Sequence, residues 1–325
     1  ARQPSGIARA SVQRDEPHCG NCASCQIKQR TDVFGLGPKT FKFVRKFARR
    51  FQSGSTASDA RFEETSRRAF ADLRFLFMNT LRGWLFYFAL AVTIIFLAIA
   101  LLVTKPFMPL RSRYEAVCRP WAKLAMLLLQ WICGIRVRNV GMENMPADGR
   151  PLVVLAKHQS AWDPFWLGVH LINPPCFLYK RSLNKIPVFG WALWSMEMLA
   201  IDRSQGRSAF ENFMHRGPEF LKRGWWITLF PEGTRVPPGE HVRYKTGGAR
   251  FACATGTPIL PIAHNAGLFW PKNSIAKRPG VITVEVGPII ETAGRDPHEV
   301  TLEVEAWIES ATARLVEEAS CCHQN

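Results

Sequence analysis

The chain has 325 residues, a formal net charge of +16 and 47% hydrophobic residues, enough for one sizeable folded domain of ~200 residues plus an appendage. Its pI near 9.8 draws it to anionic partners, among which phospholipid headgroups, nucleic acid and phosphorylated substrates all qualify. Nine cysteines form an odd set with several in apolar segments, which excludes an extracellular disulfide framework and points to a reducing compartment.

Residues 1–77 read as a basic N-terminal extension. Up to Arg82 there are 16 Lys/Arg against 7 Asp/Glu, more than half of the chain's positive excess. Residues 1–30 are polar and hold no apolar core of the kind a secretory leader needs. Within the extension, His18, Cys19, Cys22 and Cys25 have a C-x-x-C-x-x-C spacing that could supply soft metal ligands. A reduced tail without metal is the competing expectation, because His18 and Cys19 are neighbours and no fourth cysteine follows nearby. Residues 39–51 (KTFKFVRKFARRF) place Phe41, Val44, Phe47 and Phe51 at helical spacing, which fits a basic helix on an anionic lipid surface or a solvated arm. Met78 is a candidate natural start, immediately before the apolar run.

Residues 78–135 are expected to form a membrane-embedded helical hairpin. Residues 84–103 (WLFYFALAVTIIFLAIALLV) contain no charge, and a helix of that length covers the ~30 Å hydrocarbon core. Pro106 and Pro109 stop this helix, and residues 114–135 supply a second, partly amphipathic one. Basic residues flank both ends of the first helix, so the hairpin is expected to keep both ends cytoplasmic.

Residues 136–325 read as the catalytic domain. From Pro151 onward strand-like runs (PLVVLAKH, PCFLYK, AIDR, WWITLF, TPILPIAH, VITVEVG) alternate with helical ones, the pattern of an α/β fold with a mixed central sheet flanked by helices. Residues 297–319 close the chain as an amphipathic helix with Val300, Val304, Trp307, Ile308 and Leu315 inward.

Three polar clusters follow strand-like runs. His158 and Asp163 bound HQSAWD. On one continuous helix the two would be rotated by ~140° and could not meet, so a turn must bring them together. There a carboxylate can fix the imidazole tautomer and leave its other nitrogen to take a hydroxyl proton. Alternatively, Asp163 only caps the helix that Pro164 begins. In FPEGTR, residues 230–235, Gly233 permits close backbone approach, Arg235 offers a planar fork for phosphate, and Glu232 can hold an arginine or accept a hydroxyl. LAIDR, residues 199–203, ends a strand on Arg203, a second phosphate ligand; a surface salt bridge between Asp202 and a neighbouring cation is the alternative.

HQSAWD, KRSLNKIPVFGW (residues 180–191), IDR, FPEGTR and LPI (residues 260–262) stand in one order that closely resembles the glycerolipid acyltransferase family, nearest its bacterial 1-acylglycerol-3-phosphate branch. The resemblance spans roughly residues 78–291. It implies that His158 is the general base and Asp163 its orienting carboxylate. Arg203, Glu232, Gly233, Thr234 and Arg235 would form the glycerol phosphate site, and Pro261 would belong to the acyl-side motif. Ser182 departs from the family, where an acidic residue often follows the basic pair. The implied reaction passes an acyl group from acyl-CoA or acyl-carrier protein to the free 2-hydroxyl of 1-acylglycerol 3-phosphate, with no cofactor and no metal. Implied partners are membrane phospholipid and lysophospholipid, not nucleic acid. The implied location is the inner (cytoplasmic) membrane with the catalytic domain facing the cytoplasm. Related acceptors, namely glycerol 3-phosphate, another lysophospholipid or a lyso-aminolipid, are the alternatives within the family. A membrane-tethered binding protein with a Cys-containing tail is the alternative outside it. Cys321 and Cys322 lack a prenylation pattern.

Overall fold

The computed structural model describes residues 56–201 and 206–321. Two compact units are present, Ala1–Ala69 and Phe70–Asn325. In the first, the described residues 56–69 are helical. The Cys19 cluster, the 39–51 segment, Asp202, Arg203 and Cys322 lie outside the described residues.

The first helix, α1 (Thr56–Thr104), is longer than its apolar core because residues 56–104 contain no proline and one glycine, Gly83. Its Phe70–Thr104 portion is long and apolar enough to cross a membrane. One side of that portion buries Phe86, Leu90, Ala98 and Leu101, while Trp84, Phe88, Ile95, Phe96 and Ile99 stay exposed. The inner stripe joins the core of the rest of the unit, where close van der Waals packing holds the helix even if its outer face meets lipid. At Gly83 the fit is closest: a Cβ there would collide with the Ile275 carbonyl.

Helix α1 ends in a turn in which Thr104 O accepts from the Phe107 and Met108 amides, at 3.1 and 2.9 Å. The chain then returns through a short helix, Leu110–Arg113, and a π-turn, Tyr114–Cys118, into α2 (Arg119–Cys133). In the π-turn the Arg119 amide reaches back five residues to Tyr114 O, and Pro120, which has no N–H to donate, follows it at the start of α2. Trp121 Nε1 donates to Thr93 Oγ1 at 3.2 Å, so α2 packs back on α1 as the expected hairpin. Gly134, at φ +69°, ends α2 in the left-handed conformation that favours glycine.

Seven strands follow: β1 (Ile135–Val140), β2 (Val153–Ala156), β3 (Pro175–Lys180), β4 (Leu199–Ile201), β5 (Trp226–Leu229), β6 (Ile259–His264) and β7 (Gly280–Val286). Their order is β1-β7-β6-β2-β5-β3-β4. All neighbours are parallel except β6 and β7, which makes the sheet mixed as expected. Between strands run α3 (Asp163–His170), α4 (Phe189–Ser195), α5 (Gly206–Lys222) and α6 (Gly247–Thr255), and α7 (Pro297–Cys321) closes the chain. Strand β1 falls where the sequence pattern suggested the end of the second apolar helix. Gly134 cuts that helix short, and the alternation of Ile135 and Val137 with Arg136 and Arg138 then suits a sheet edge. Strand β2 is buried at all four positions, as a central parallel strand covered on both faces must be.

Candidate active site

Strands β2 and β5 are in register through Val153–Ile227, Val154–Thr228 and Leu155–Leu229, so their carboxyl ends finish side by side. His158 leaves the first and Phe230 the second, and their rings stack at 4.0 Å between centroids with 16° between planes. A crevice outside the carboxyl ends of parallel strands is where open α/β sheets place ligands.

The turn after β2 folds His158 onto Asp163. His158 Nδ1 lies 2.8 Å from Asp163 Oδ2, with the carboxylate side chain 1% exposed and the imidazole 20% exposed. The same Oδ2 accepts the Gln159 and Ser160 amides at 3.0 and 3.1 Å. Asp163 is therefore not the N-cap that the sequence also allowed. It is the first residue of α3, with Pro164 second, and its carboxylate binds amides that precede it. A carboxylate facing Nδ1 directs the imidazole's remaining lone pair to Nε2, which no described residue hydrogen-bonds.

Side chains of the turn staple it to the loop after β6. Gln159 Oε1 accepts from the Gly267 amide at 3.0 Å, and Ser160 Oγ donates to the Trp270 carbonyl at 2.9 Å. His264, the last residue of β6, holds Nε2 2.9 Å from the Lys157 carbonyl and 3.5 Å from Asp163 Oδ1. Burial pushes its pKa down, against the nearby Asp163 carboxylate, which pulls it up.

Of the FPEGTR segment, Glu232 reaches inward. Its Oε2 accepts the His158 amide at 2.6 Å and its Oε1 lies 2.8 Å from Lys157 Nζ, with both side chains almost fully buried. Burial raises the Glu232 pKa, and the Lys157 ammonium opposes that rise. Lys157 also meets Glu309 Oε1 of α7 at 2.6 Å, and Tyr244 donates to that oxygen at 2.8 Å. The structure thus sets Glu232 beneath the His158 backbone, and Lys157, Tyr244 and Glu309 join the site unannounced. Lys157 stands beside His158 in sequence, but its partners come from 75 and 152 residues away, and no local pattern marks them.

The rest of the segment faces outward. Gly233 adopts φ +70°, and a Cβ there would sit 2.7 Å from Lys245 Nζ. Thr234 is exposed and Arg235 half-buried. The Val236 amide donates to the His158 carbonyl at 2.8 Å, which ties Arg235 to the histidine's strand, and Lys272 Nζ donates to the Arg235 carbonyl at 2.8 Å. Pro261 is buried in β6 opposite Leu155 of β2, and its carbonyl accepts the Gly287 amide at 2.9 Å. It lies in the sheet, three residues before His264.

Fold and site together define an α/β enzyme whose polar groups gather at the ends of two central parallel strands. The chain belongs to the acyltransferase family, whose model matches residues 136–265. It is 39% identical over 241 residues to the 1-acyl-sn-glycerol-3-phosphate acyltransferase of Pseudomonas aeruginosa, covering 73% of this chain and 93% of that protein. To the chloroplastic enzyme BAT2 of the same description from Brassica napus it is 29% identical, over 73% of this chain and 66% of the relative. The fold matches the crystal structure of the 1-acyl-sn-glycerophosphate (LPA) acyltransferase PlsC from Thermotoga maritima with a TM-score of 0.62. That match has 26% identity and covers 73% of this chain and 95% of that one.

Proposed function

We propose that the protein transfers an acyl group from acyl-CoA or acyl-carrier protein to the free 2-hydroxyl of 1-acylglycerol 3-phosphate, giving phosphatidic acid for phospholipid synthesis. The observation that carries this reading is the 2.8 Å contact between His158 Nδ1 and the buried Asp163, which leaves Nε2 open beside FPEGTR. His158 Nε2 takes the hydroxyl proton as the oxygen attacks the thioester carbonyl. The ester C–O bond forms, the C–S bond breaks, and the same proton passes to the leaving sulfur. Asp163 stabilises the transient imidazolium. Such acid–base assistance supplies ~10²–10⁴ in rate on top of the larger effect of positioning. The thioester is already activated, so the scheme calls on no cofactor and no metal.

Arg235, with Arg203, holds the acceptor's phosphate, and Gly233 and Thr234 line its approach. Glu232 supports the site from below, and Pro261 keeps its acyl-side assignment. The apolar hairpin attaches the enzyme to the inner membrane on the cytoplasmic side, where lysophospholipid arrives. Acceptor competition with the purified full chain in detergent tests the reading. Preference for 1-acylglycerol 3-phosphate over glycerol 3-phosphate and over phosphate-free lysolipids is expected. Preference for a phosphate-free acceptor overturns the role given to the arginines.

A further inference from the structure

We infer that His264 is a positioning residue for acyl transfer, holding the Asp163 carboxylate through the oxygen that His158 does not use. This rests on the proposed His158–Asp163 pair and adds a third member to it. The two carboxylate oxygens have unlike surroundings. Oδ2 faces three donors: His158 Nδ1 at 2.8 Å, the Gln159 amide at 3.0 Å and the Ser160 amide at 3.1 Å. Oδ1 is buried and makes no hydrogen bond among the described residues. An unmet carboxylate oxygen in a dry site is costly, and the group facing it is His264 Nε2 at 3.5 Å.

The proton on His264 can be placed from the backbone. The Ala266 amide, which can only donate, points at His264 Nδ1 from 3.3 Å, so that nitrogen is the acceptor and Nε2 carries the hydrogen. That N–H donates to the Lys157 carbonyl at 2.9 Å, and the same nitrogen lies 3.5 Å from Asp163 Oδ1. The ring is buried, and burial keeps it neutral. It gives Asp163 a fixed dipole without placing a second cation next to the charge that His158 acquires. The ionisable groups facing it are Asp163, His158 and Lys157. Trp162 holds the ring edge-on at 5.8 Å, so its orientation is set by packing as well as by hydrogen bonds.

Three substitutions separate this role from simple packing. Gln carries an amide N–H out to the position of Nε2. Asn keeps a polar group near Nδ1 but cannot reach Asp163, and Phe keeps the ring shape without the N–H. His264→Gln should retain kcat within a few fold, whereas His264→Asn and His264→Phe should lose ~10-fold or more. In the last two the loss should fall on kcat while the acceptor KM holds, because His264 acts on the alignment of Asp163 and His158 and touches no substrate. On an Asp163→Asn background, His264→Phe should cost little further.

Equal loss in all three variants would overturn the inference in favour of packing, and so would wild-type rates in Asn and Phe. Full additivity with Asp163→Asn also overturns it. The underlying reading fails separately: Asp163→Asn at wild-type rate removes the pair itself and the role of His264 with it. Thermal melting of each variant in detergent identifies any that does not fold. If Phe does not, the comparison of Gln with Asn decides.

Discussion

Lys157 and Glu232 form an ion pair at 2.8 Å whose side chains are 1% and 0% exposed, directly beneath the backbone of His158. The pair joins β2 to the segment after β5, and Glu309 at 2.6 Å extends it to α7. Removing the ammonium leaves the fully buried Glu232 carboxylate without its counter-charge, with the partly exposed Glu309 as its acidic neighbour. Lys157→Met should therefore destabilise the fold by ~3–5 kcal/mol, read by denaturant titration in detergent. The double variant Lys157→Met, Glu232→Gln should recover part of that loss. Equal stability of the single variant and the wild type would mean that the pair contributes nothing net.

His158→Ala should lower kcat by ~10²–10⁴ and leave membrane association intact, because the base is lost and the exposed apolar stripe of α1 is untouched. Sedimentation with vesicles and a thioester-release assay on one preparation measure both. Turnover near wild type would remove His158 from the chemistry.

Arg235→Lys should act on the acceptor, since an ammonium does not reproduce the bidentate geometry of a guanidinium toward phosphate. If the arginine only anchors the ground state, the acceptor KM rises and kcat holds; if it also aligns the hydroxyl on His158, kcat falls as well. The donor KM should move little in either case. A change confined to the donor would reassign Arg235 to the carrier's phosphate.

Lys277 gives the clearest pH dependence. Its Nζ donates to the Ser274 and Ile275 carbonyls at 2.9 and 2.8 Å and to the Tyr87 hydroxyl at 3.2 Å, and burial lowers its pKa from 10.5 to about 8. A lysine that holds its proton less tightly when folded adds stability as pH rises from about 8 toward 10.5, and that gain is absent at pH 7. Relative to Lys277→Met, the wild-type Tm should therefore improve between pH 7.5 and pH 9.5. A constant difference between the two proteins across that interval contradicts the shift.

The parts that were legible in the sequence are the short-range ones. HQSAWD keeps its geometry within a few residues and FPEGTR directly follows a strand, so composition and spacing expose both motifs. The apolar core of α1 was readable for the same reason. Its start at Thr56 was not, because polar residues without a helix breaker look the same in a helix as in a loop. What escaped is set by strand order. Nothing local says that β2 lies between β5 and β6, yet that adjacency stacks His158 on Phe230, seats Glu232 under His158 and brings His264 to Asp163. The cap alternative for Asp163 arises because Asp before Pro is a common helix start, whereas here its carboxylate turns back to amides already passed.

At Gly83 the backbone of α1 rests on the Ile275 carbonyl with no room for a side chain, and Lys277, two residues later, clasps Tyr87 on the next turn of the same helix. Both contacts resist sliding or turning of the helix against the fold it carries. Whatever depth the helix takes in a bilayer, His158 takes with it. On the proposed function, the depth of α1 would then set how far a lysolipid has to travel to reach His158 Nε2.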